Sequence, residues 1–181
     1  NWLSFSPTTS PTTTFPKLST VLAGLFVTPV ITGGDAASNI EALSSVGRTL
    51  NFRLTVRDNA PYSSTAPVSV GQTQFTDMAV TVSATSGPFG VTSPNTAVSW
   101  PGLSSQNITW TVNNTTAAPV SCTNVKISLS TDGGLTFPTI LSPSTPNDGS
   151  ETLTIPNIPT ITARIKVEAV GNVFFDISNA N

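Results

Sequence analysis

The stretch "STDGGLTF", Ser130 to Phe137, combines an acid with two glycines and an aromatic residue at short spacing. The carboxylate of Asp132 can accept hydrogen bonds from nearby backbone N–H groups, while Gly133 and Gly134 permit positive φ angles. An acid can also belong to a glycosidase, which needs two carboxyl groups across a cleft. The stretch is therefore a structural turn or one part of an active site.

The spacing Ser-x-Asp-x-Gly-x-Thr-Phe resembles the Asp-box of sialidases and related propeller proteins, where the motif lies away from the active site. The resemblance implies turn roles for Ser130, Asp132, Gly134 and Phe137. A sialidase would also need three clustered arginines and a nucleophilic tyrosine. This chain has a single tyrosine, Tyr62, and four arginines in all. The residues favour a hairpin turn, and we expect no catalytic residue here.

Other reactive groups are few. The chain contains no histidine, which excludes His-based triads and His-ligated zinc. Cys122, the only cysteine, precedes an apolar strand and is expected to be a buried or half-buried structural thiol. Calcium is the most plausible small ligand, with Asp58 and Asp77 as candidate ligands at strand ends, although solvated turn acids explain both residues more simply. A second candidate group joins three acids from the other half: Asp132, Asp148 and Glu151.

The composition of the chain limits the classes of partner and the cellular compartment that we expect. Only 9% of residues are charged and the net charge is −2, so nucleic acid is not expected as a partner. No apolar run is long enough to span a bilayer. A chain rich in Thr and Ser without a disulfide is typical of an exported bacterial protein, secreted or at the cell surface.

Alternating apolar and polar residues predict strands through the second half. In "NVKISLS", Val125, Ile127 and Leu129 face one way, and "NITWTV" places Trp110 in a central strand. The predicted strands are Phe89–Val91, Ala97–Trp100, Asn107–Val112, Val125–Ser130, Thr136–Leu141, Glu151–Ile155, Ala163–Val170 and Asn172–Ile177. This spacing of strands and turns is typical of a β-sandwich.

The first half offers fewer strands. Two are long, Thr49–Arg57 and Phe75–Ser83, a third is predicted at Trp2–Phe5, and one helical turn is expected before Gly24. The sequence therefore predicts an all-β protein of two tandem immunoglobulin-like antiparallel sandwiches, residues 1–85 and 86–181. The first sandwich is expected to be incomplete, because two long strands cannot bury their apolar faces alone.

Long phrases resemble a known family. "GPFGVTSPNTAVSW", "ITWTVNNTTAAPVSCTNVKISLSTDGGLTFPTIL" and "PNDGSETLTIPNIPTITARIKVEAVGNVFFDISNAN" resemble the C-terminal region of secreted reprolysin-like zinc metallopeptidases of type IX-secreting bacteria. "SFSPTTSPTTTFPKLSTVLAG" and "SSVGRTLNFRLTVRDNAP" resemble the preceding domain. The resemblance implies accessory immunoglobulin-like or cadherin-like sandwiches. The zinc motif of that family lies in a separate peptidase domain, and no position here matches it.

Two functions remain open at this point. The chain is expected to be a non-catalytic module that spaces an exported enzyme or binds a protein or glycan surface, without a cofactor unless calcium binds. Alternatively, it is a structural subunit of an extracellular fibre or adhesin. In either case open sheet edges would contact other copies or the rest of the parent protein.

Overall fold

The structure, a computed structural model, describes residues 8–29 and 41–181. They form one short helix, α1 (Leu18–Leu22), and nine strands whose pairings are all antiparallel. The strands are β1 (Arg48–Arg57), β2 (Thr73–Val82), β3 (Gly90–Ser93), β4 (Ser105–Thr111), β5 (Asn124–Ser130), β6 (Thr139–Pro146), β7 (Ser150–Thr154), β8 (Arg164–Ala169) and β9 (Phe175–Ile177). The predicted all-β class is confirmed.

The described residues divide into two compact units. The hairpin unit is Ser44–Ala84, and the sandwich unit combines 85–181 with the described residues of 1–43. The sequence predicted a boundary between residues 85 and 86 with all of 1–85 in one domain. In the structure, residues 8–29 and 41–43 instead group with the second half of the chain. The tandem immunoglobulin-like organisation stays a prediction.

The sandwich unit packs a three-stranded sheet, β3-β4-β7, against a four-stranded sheet, β6-β5-β8-β9. Both sheets contribute alternate side chains to one apolar core, as period-two patterning predicts. Trp110 lies in the central strand of the smaller sheet and is 4% exposed, which confirms its predicted place. The buried core residues are Val91, Ile108, Trp110, Val125, Ile127, Leu129, Ile165 and Val167.

Two of the predicted strands are not found among the described strands. The predicted strand at Ala97–Trp100 is wrong, because this segment pairs with no strand. It lies between Pro94 and Pro101, which lack the N–H that a sheet ladder requires. The strand predicted at Trp2–Phe5 lies outside the described residues.

The helical segment, which we define as α1 and the two residues after it (18–24), covers part of the outer face of the larger sheet. The predicted helical turn is present as α1, and Gly24, with φ +67°, follows its end. The backbone oxygen of Leu22 accepts a hydrogen bond from Arg164 Nη1 at 3.1 Å, and α1 packs against β9. This contact explains why Ile177, on the outer face of β9, is only 1% exposed.

The hairpin unit contains a single two-stranded sheet. β1 and β2 pair in continuous register from Arg48 opposite Val82 to Arg57 opposite Thr73. Among the described residues no further strand joins this sheet. Its even-numbered residues form one face, which is mostly apolar but includes Arg48, Gln74 and Thr76, and the odd-numbered residues form the other.

Candidate functional site

The stretch from Ser130 to Phe137 forms a closed network of hydrogen bonds between β5 and β6. Asp132 Oδ1 accepts the backbone N–H groups of Leu135 at 3.0 Å and Thr136 at 2.9 Å. The Thr136 hydroxyl donates to Asp132 Oδ2 at 2.6 Å. The carboxylate therefore holds the turn through both of its oxygens.

Ser130 supports the same turn from within the sheet. Its side chain is fully buried; Oγ donates to Asp132 Oδ1 at 2.7 Å and accepts the buried N–H of Gly134 at 2.8 Å. Gly133 and Gly134 both adopt positive φ, +81° and +94°. The structure thus brings Ser130, Asp132 and Gly134 together in the arrangement that the sequence predicts for a turn.

The hydrogen bonds also fix the charge state of the turn. The Thr136 hydroxyl and N–H, followed by the Ser130 hydroxyl and the Leu135 N–H, hold the pKa of Asp132 far below its usual range. A carboxylate with such a low pKa stays ionised at neutral pH. A general acid of a glycosidase needs the opposite shift, a raised pKa. The electrostatics of Asp132 suit a structural anion.

Phe137 joins the turn to the outer face of the larger sheet. It is half-buried, and Lys166 Nζ lies 5.0 Å from the centre of its ring. The same ammonium group forms an ion pair with Glu168 at 2.6 Å, and Lys126 pairs with Glu168 from the neighbouring strand. A cation above an aromatic face is mildly favourable. Phe137 therefore packs against the sheet, as the turn interpretation requires.

Gly134 also lies against the helical segment. A Cβ atom added at this position would fall on Leu22 Cδ2. Arg164, whose Cγ is 3.6 Å from the same point, donates to the backbone oxygens of Leu22 and Ser178. The turn is thus a docking point for the segment that contains α1. Sequence reasoning missed this role, because nothing near Leu22 signals a contact 112 residues further along the chain.

The two candidate calcium ligands are not brought together. Asp77 was predicted at a strand end, but it lies inside β2 opposite Arg53 and binds that guanidinium through both oxygens, at 2.7 and 2.8 Å. Asp58 lies five residues beyond Arg53, about 17 Å along the strand. Ligands of one calcium ion lie within about 2.6 Å of it. The register therefore places the Asp58 and Asp77 carboxylates too far apart to bind one calcium ion together, and calcium binding by either residue alone stays a prediction.

Asp58 has a structural role at the end of β1. Its Oδ1 accepts the N–H groups of Ala60 and Gln72, both at 3.0 Å, and so ties the two ends of the loop together. These hydrogen bonds lower the pKa of Asp58. Hydrogen bonds to Arg53 likewise lower the pKa of Asp77.

The second candidate group of acids also remains separate. Asp148 accepts the N–H of Ser150 at 3.3 Å, Glu151 binds the Thr145 hydroxyl, and Asp132 is occupied within its turn. In the part of the chain that the structure describes, no three His, Cys, Asp or Glu side chains lie close enough to hold a metal ion.

Asn147 and Glu41 are among the buried polar residues that sequence reasoning missed. Asn147 is 4% exposed; it accepts Trp110 Nε1–H at 2.9 Å and donates to Thr115 Oγ1 and Cys122 O, both at 3.0 Å. Cys122 itself is 3% exposed, which confirms the expected buried thiol. Glu41 is 1% exposed and accepts the N–H of Lys17. Neither Asn147 nor Glu41 stands in a sequence pattern that signals burial.

A hollow of about 320 Å³ opens between the two sheets at one end of the sandwich. Trp100, Leu129, Ile155 and Ile165 contribute apolar walls, and Asn157 lies at the rim. None of its lining residues is an acid. The hollow can therefore receive an apolar or aromatic group, but it does not provide the paired carboxyl groups of a glycosidase.

The comparisons with known proteins identify no relative. No protein-family profile matches the chain, and no curated protein or solved structure is significantly similar to it. Among the described residues no helix is long and apolar enough to cross a membrane.

Proposed function

We propose that this chain is a non-catalytic, extracellular immunoglobulin-like module of an exported bacterial metallopeptidase-like protein. It spaces the enzyme from a surface or binds a protein or glycan surface. The seven strands of the sandwich unit, divided three and four between the sheets, suit an immunoglobulin-like sandwich. The long phrases given above support the link to the metallopeptidases.

The proposal that the chain is non-catalytic rests on the contacts of its carboxylates within the fold. Each of the eight acidic side chains among the described residues accepts a hydrogen bond or forms an ion pair within the fold: Glu41, Asp58, Asp77, Asp132, Asp148, Glu151, Glu168 and Asp176. Catalytic acids and bases need pKa values matched to proton transfer near the working pH. Asp132, the acid with the strongest motif, has a pKa shifted away from that range.

A hydrolysis assay tests this part directly. We expect the purified chain to release no product above a buffer blank from denatured casein or from chromogenic glycosides. Turnover by wild-type protein that disappears in Asp132→Asn or Glu151→Gln would overturn the proposal. Loss of folding is checked on each variant by circular dichroism.

The proposal also states an activity, which is binding to a polymeric surface. Trp100 is half-buried beside the hollow, where an indole face can stack on a sugar ring or an aromatic side chain. We expect insoluble glycan or protein substrate to retain the wild-type chain and to retain Trp100→Ala less well. The exposed residue Leu103 provides a control, because Leu103→Ala changes a neighbouring apolar residue that does not line the hollow.

One observation favours the second candidate, a subunit of a fibre or adhesin assembled by strand sharing. Among the described residues β1 and β2 pair only with each other, so each has an edge open to backbone hydrogen bonding. Strand addition from copy to copy generates an open-ended assembly. A mass in solution that grows without limit with concentration would support this candidate, whereas a discrete species would exclude it.

A further inference from the structure

The hollow at the end of the sandwich unit is lined without a charged side chain. Two segments form most of its wall, residues 94–102 and 155–160, and neither contains Asp, Glu, Lys or Arg. The remaining lining residues also have uncharged side chains: Leu129, Ala163, Ile165, Ala180 and Asn181. A charged group that entered the hollow would lose water without meeting an opposite charge. The hollow therefore suits an uncharged ligand.

Three polar side chains at the hollow make no hydrogen bond to any other residue that the structure describes. They are the indole N–H of Trp100, the amide of Asn157 and the hydroxyl of Ser99. The indole N–H of Trp110, by contrast, is paired with Asn147 inside the core. The three groups at the hollow are thus available to a ligand.

These unpaired groups favour a sugar over an apolar side chain of a protein partner. An aliphatic or aromatic side chain that sealed the hollow would separate Trp100 Nε1 and the Asn157 amide from water without pairing them, which is unfavourable. A sugar hydroxyl both donates and accepts hydrogen bonds, so it can pair with either group. The apolar C–H face of a sugar ring can at the same time cover the indole of Trp100.

The two segments that line the hollow are held together by the fold itself. The N–H of Leu103 donates to the backbone oxygen of Ile155 at 2.8 Å, and the N–H of Ile155 donates to that of Ser104 at 2.9 Å. A Cβ atom added at Gly102 would fall on Asn157 Oδ1, so the amide of Asn157 lies directly over this glycine. A site that is formed before its ligand arrives loses less conformational freedom on binding.

We propose that the hollow binds one uncharged sugar ring of a neutral polysaccharide, with Trp100 as the stacking surface and Asn157 and Ser99 as hydrogen-bonding groups. Its volume of about 320 Å³ lies at the lower end of the range for ligand cavities and suits a single ring. The inference rests on the proposed surface-binding function and narrows its ligand to a neutral glycan.

Isothermal titration calorimetry with soluble oligosaccharides tests the proposal. The neutral probes are oligomers of glucose, mannose, galactose, xylose and N-acetylglucosamine, and an oligomer of galacturonic acid is the charged probe. We expect the wild-type chain to bind at least one neutral oligomer and not to bind the acidic one. Binding of the acidic oligomer alone, or of no oligomer at all, would overturn the proposal.

Variants of the lining residues locate the binding site. Trp100→Ala should raise the dissociation constant at least about tenfold, and Trp100→Phe, which keeps an aromatic ring, should raise it less. Asn157→Ala removes an exposed side chain and should also weaken binding, so the test holds even if Trp100→Ala fails to fold. Val173→Ala, which changes an exposed residue at the opposite end of the sandwich, is the matched control and should bind as wild type does.

The outcomes separate this inference from the function on which it rests. Binding of a neutral oligomer that both Trp100→Ala and Asn157→Ala leave unchanged would overturn the assignment of the hollow, although the chain would still bind glycan. Retention on an insoluble protein that Trp100→Ala abolishes, without binding of any oligosaccharide, would overturn the sugar ligand and leave the surface-binding function standing. Hydrolysis of a glycoside by the wild-type chain would instead contradict the non-catalytic function itself.

Discussion

The indole Nε1–H of Trp110 donates a hydrogen bond to Asn147 Oδ1 at 2.9 Å inside the sandwich unit. Trp110 is thus satisfied at its one polar atom while its ring packs in the core. Asn147 lies between β6 and β7 and also reaches Thr115 and Cys122. One side chain therefore fastens two connections, β4–β5 and β6–β7, to the central strand of the smaller sheet.

Removal of this amide should destabilise the fold strongly. Asn147→Ala leaves buried donors and acceptors on Trp110, Thr115 and Cys122 without their partner. We expect a loss of about 2–4 kcal/mol in the free energy of unfolding, measured by urea titration followed through tryptophan fluorescence. Asn172→Ala, at an exposed position, should cost at most about 0.5 kcal/mol. Equal losses for the two variants would contradict the role of Asn147.

Asp132 should make the fold sensitive to acid. Its pKa is lower in the folded chain than the unfolded value of about 3.9, so its ionised form stabilises the fold above that pH. This stabilisation is lost as the pH falls through the lowered pKa. Asp132→Asn should therefore melt at a lower temperature than wild type at pH 7, and the difference should shrink below about pH 4. A difference in melting temperature that stays constant from pH 7 to pH 2.5 would count against this account.

Asp176 should behave in the opposite way. Burial raises its pKa, although its Oδ2 accepts the N–H of Val91 at 2.7 Å. Ionisation is then costlier in the folded chain than in the unfolded one, so stability falls as the pH rises through the raised pKa. The amide oxygen of Asp176→Asn can still accept the N–H of Val91 without carrying a charge. We expect this variant to match or exceed the stability of wild type at pH 7 in thermal melts and to lose that advantage as the pH falls towards 4. A variant less stable than wild type at pH 7 would contradict this prediction.

Substitutions of the adjacent residues Gly133 and Gly134 distinguish the effect of backbone strain from the effect of a packing contact. Gly133→Ala and Gly134→Ala both place a side chain at positive φ, but only the second directs a Cβ onto Leu22. We expect Gly134→Ala to lower the melting temperature more than Gly133→Ala does. Adding Leu22→Ala should recover part of the loss in Gly134→Ala and none in Gly133→Ala. Purely additive effects in both double variants would mean that Leu22 does not pack against the turn.

Calcium should leave the hairpin unit unaffected. The Asp77 carboxylate is bound to Arg53, and Asp58 Oδ1 is bound to two backbone N–H groups. We expect thermal melts in calcium and in chelator to coincide. A calcium-dependent rise in melting temperature that Asp58→Asn abolishes would show a site that involves this carboxylate.

The sequence predicted burial and turns best where the environment of a residue depends on its near neighbours along the chain. Alternation in β5 predicts the burial of Val125, Ile127 and Leu129, and the turn from Ser130 to Phe137 follows from spacing alone. Both features are local, because a strand repeats every two residues and a turn closes within a few.

The features that escaped prediction depend on distant contacts. Ser128 and Ser130 belong to the polar set of β5, yet they are 1% and 0% exposed, because the outer face of this sheet is also covered. The sequence predicted Asp77 at the end of a strand, but the pairing of β1 with β2 places it opposite Arg53. No periodicity in the chain encodes which segment lies over a face or which residue lies opposite.

The helical segment has a practical consequence for dividing this chain into fragments. A fragment starting near Thr85 contains every strand of the sandwich unit. It lacks Leu22, so Arg164 Nη1 loses one of its two backbone acceptors and Gly134 loses the side chain that packs against it. Such a fragment would expose Ile177 to water and would tend to aggregate during purification. Shortened versions intended for binding studies should therefore retain α1, joined by a linker that bypasses the hairpin unit.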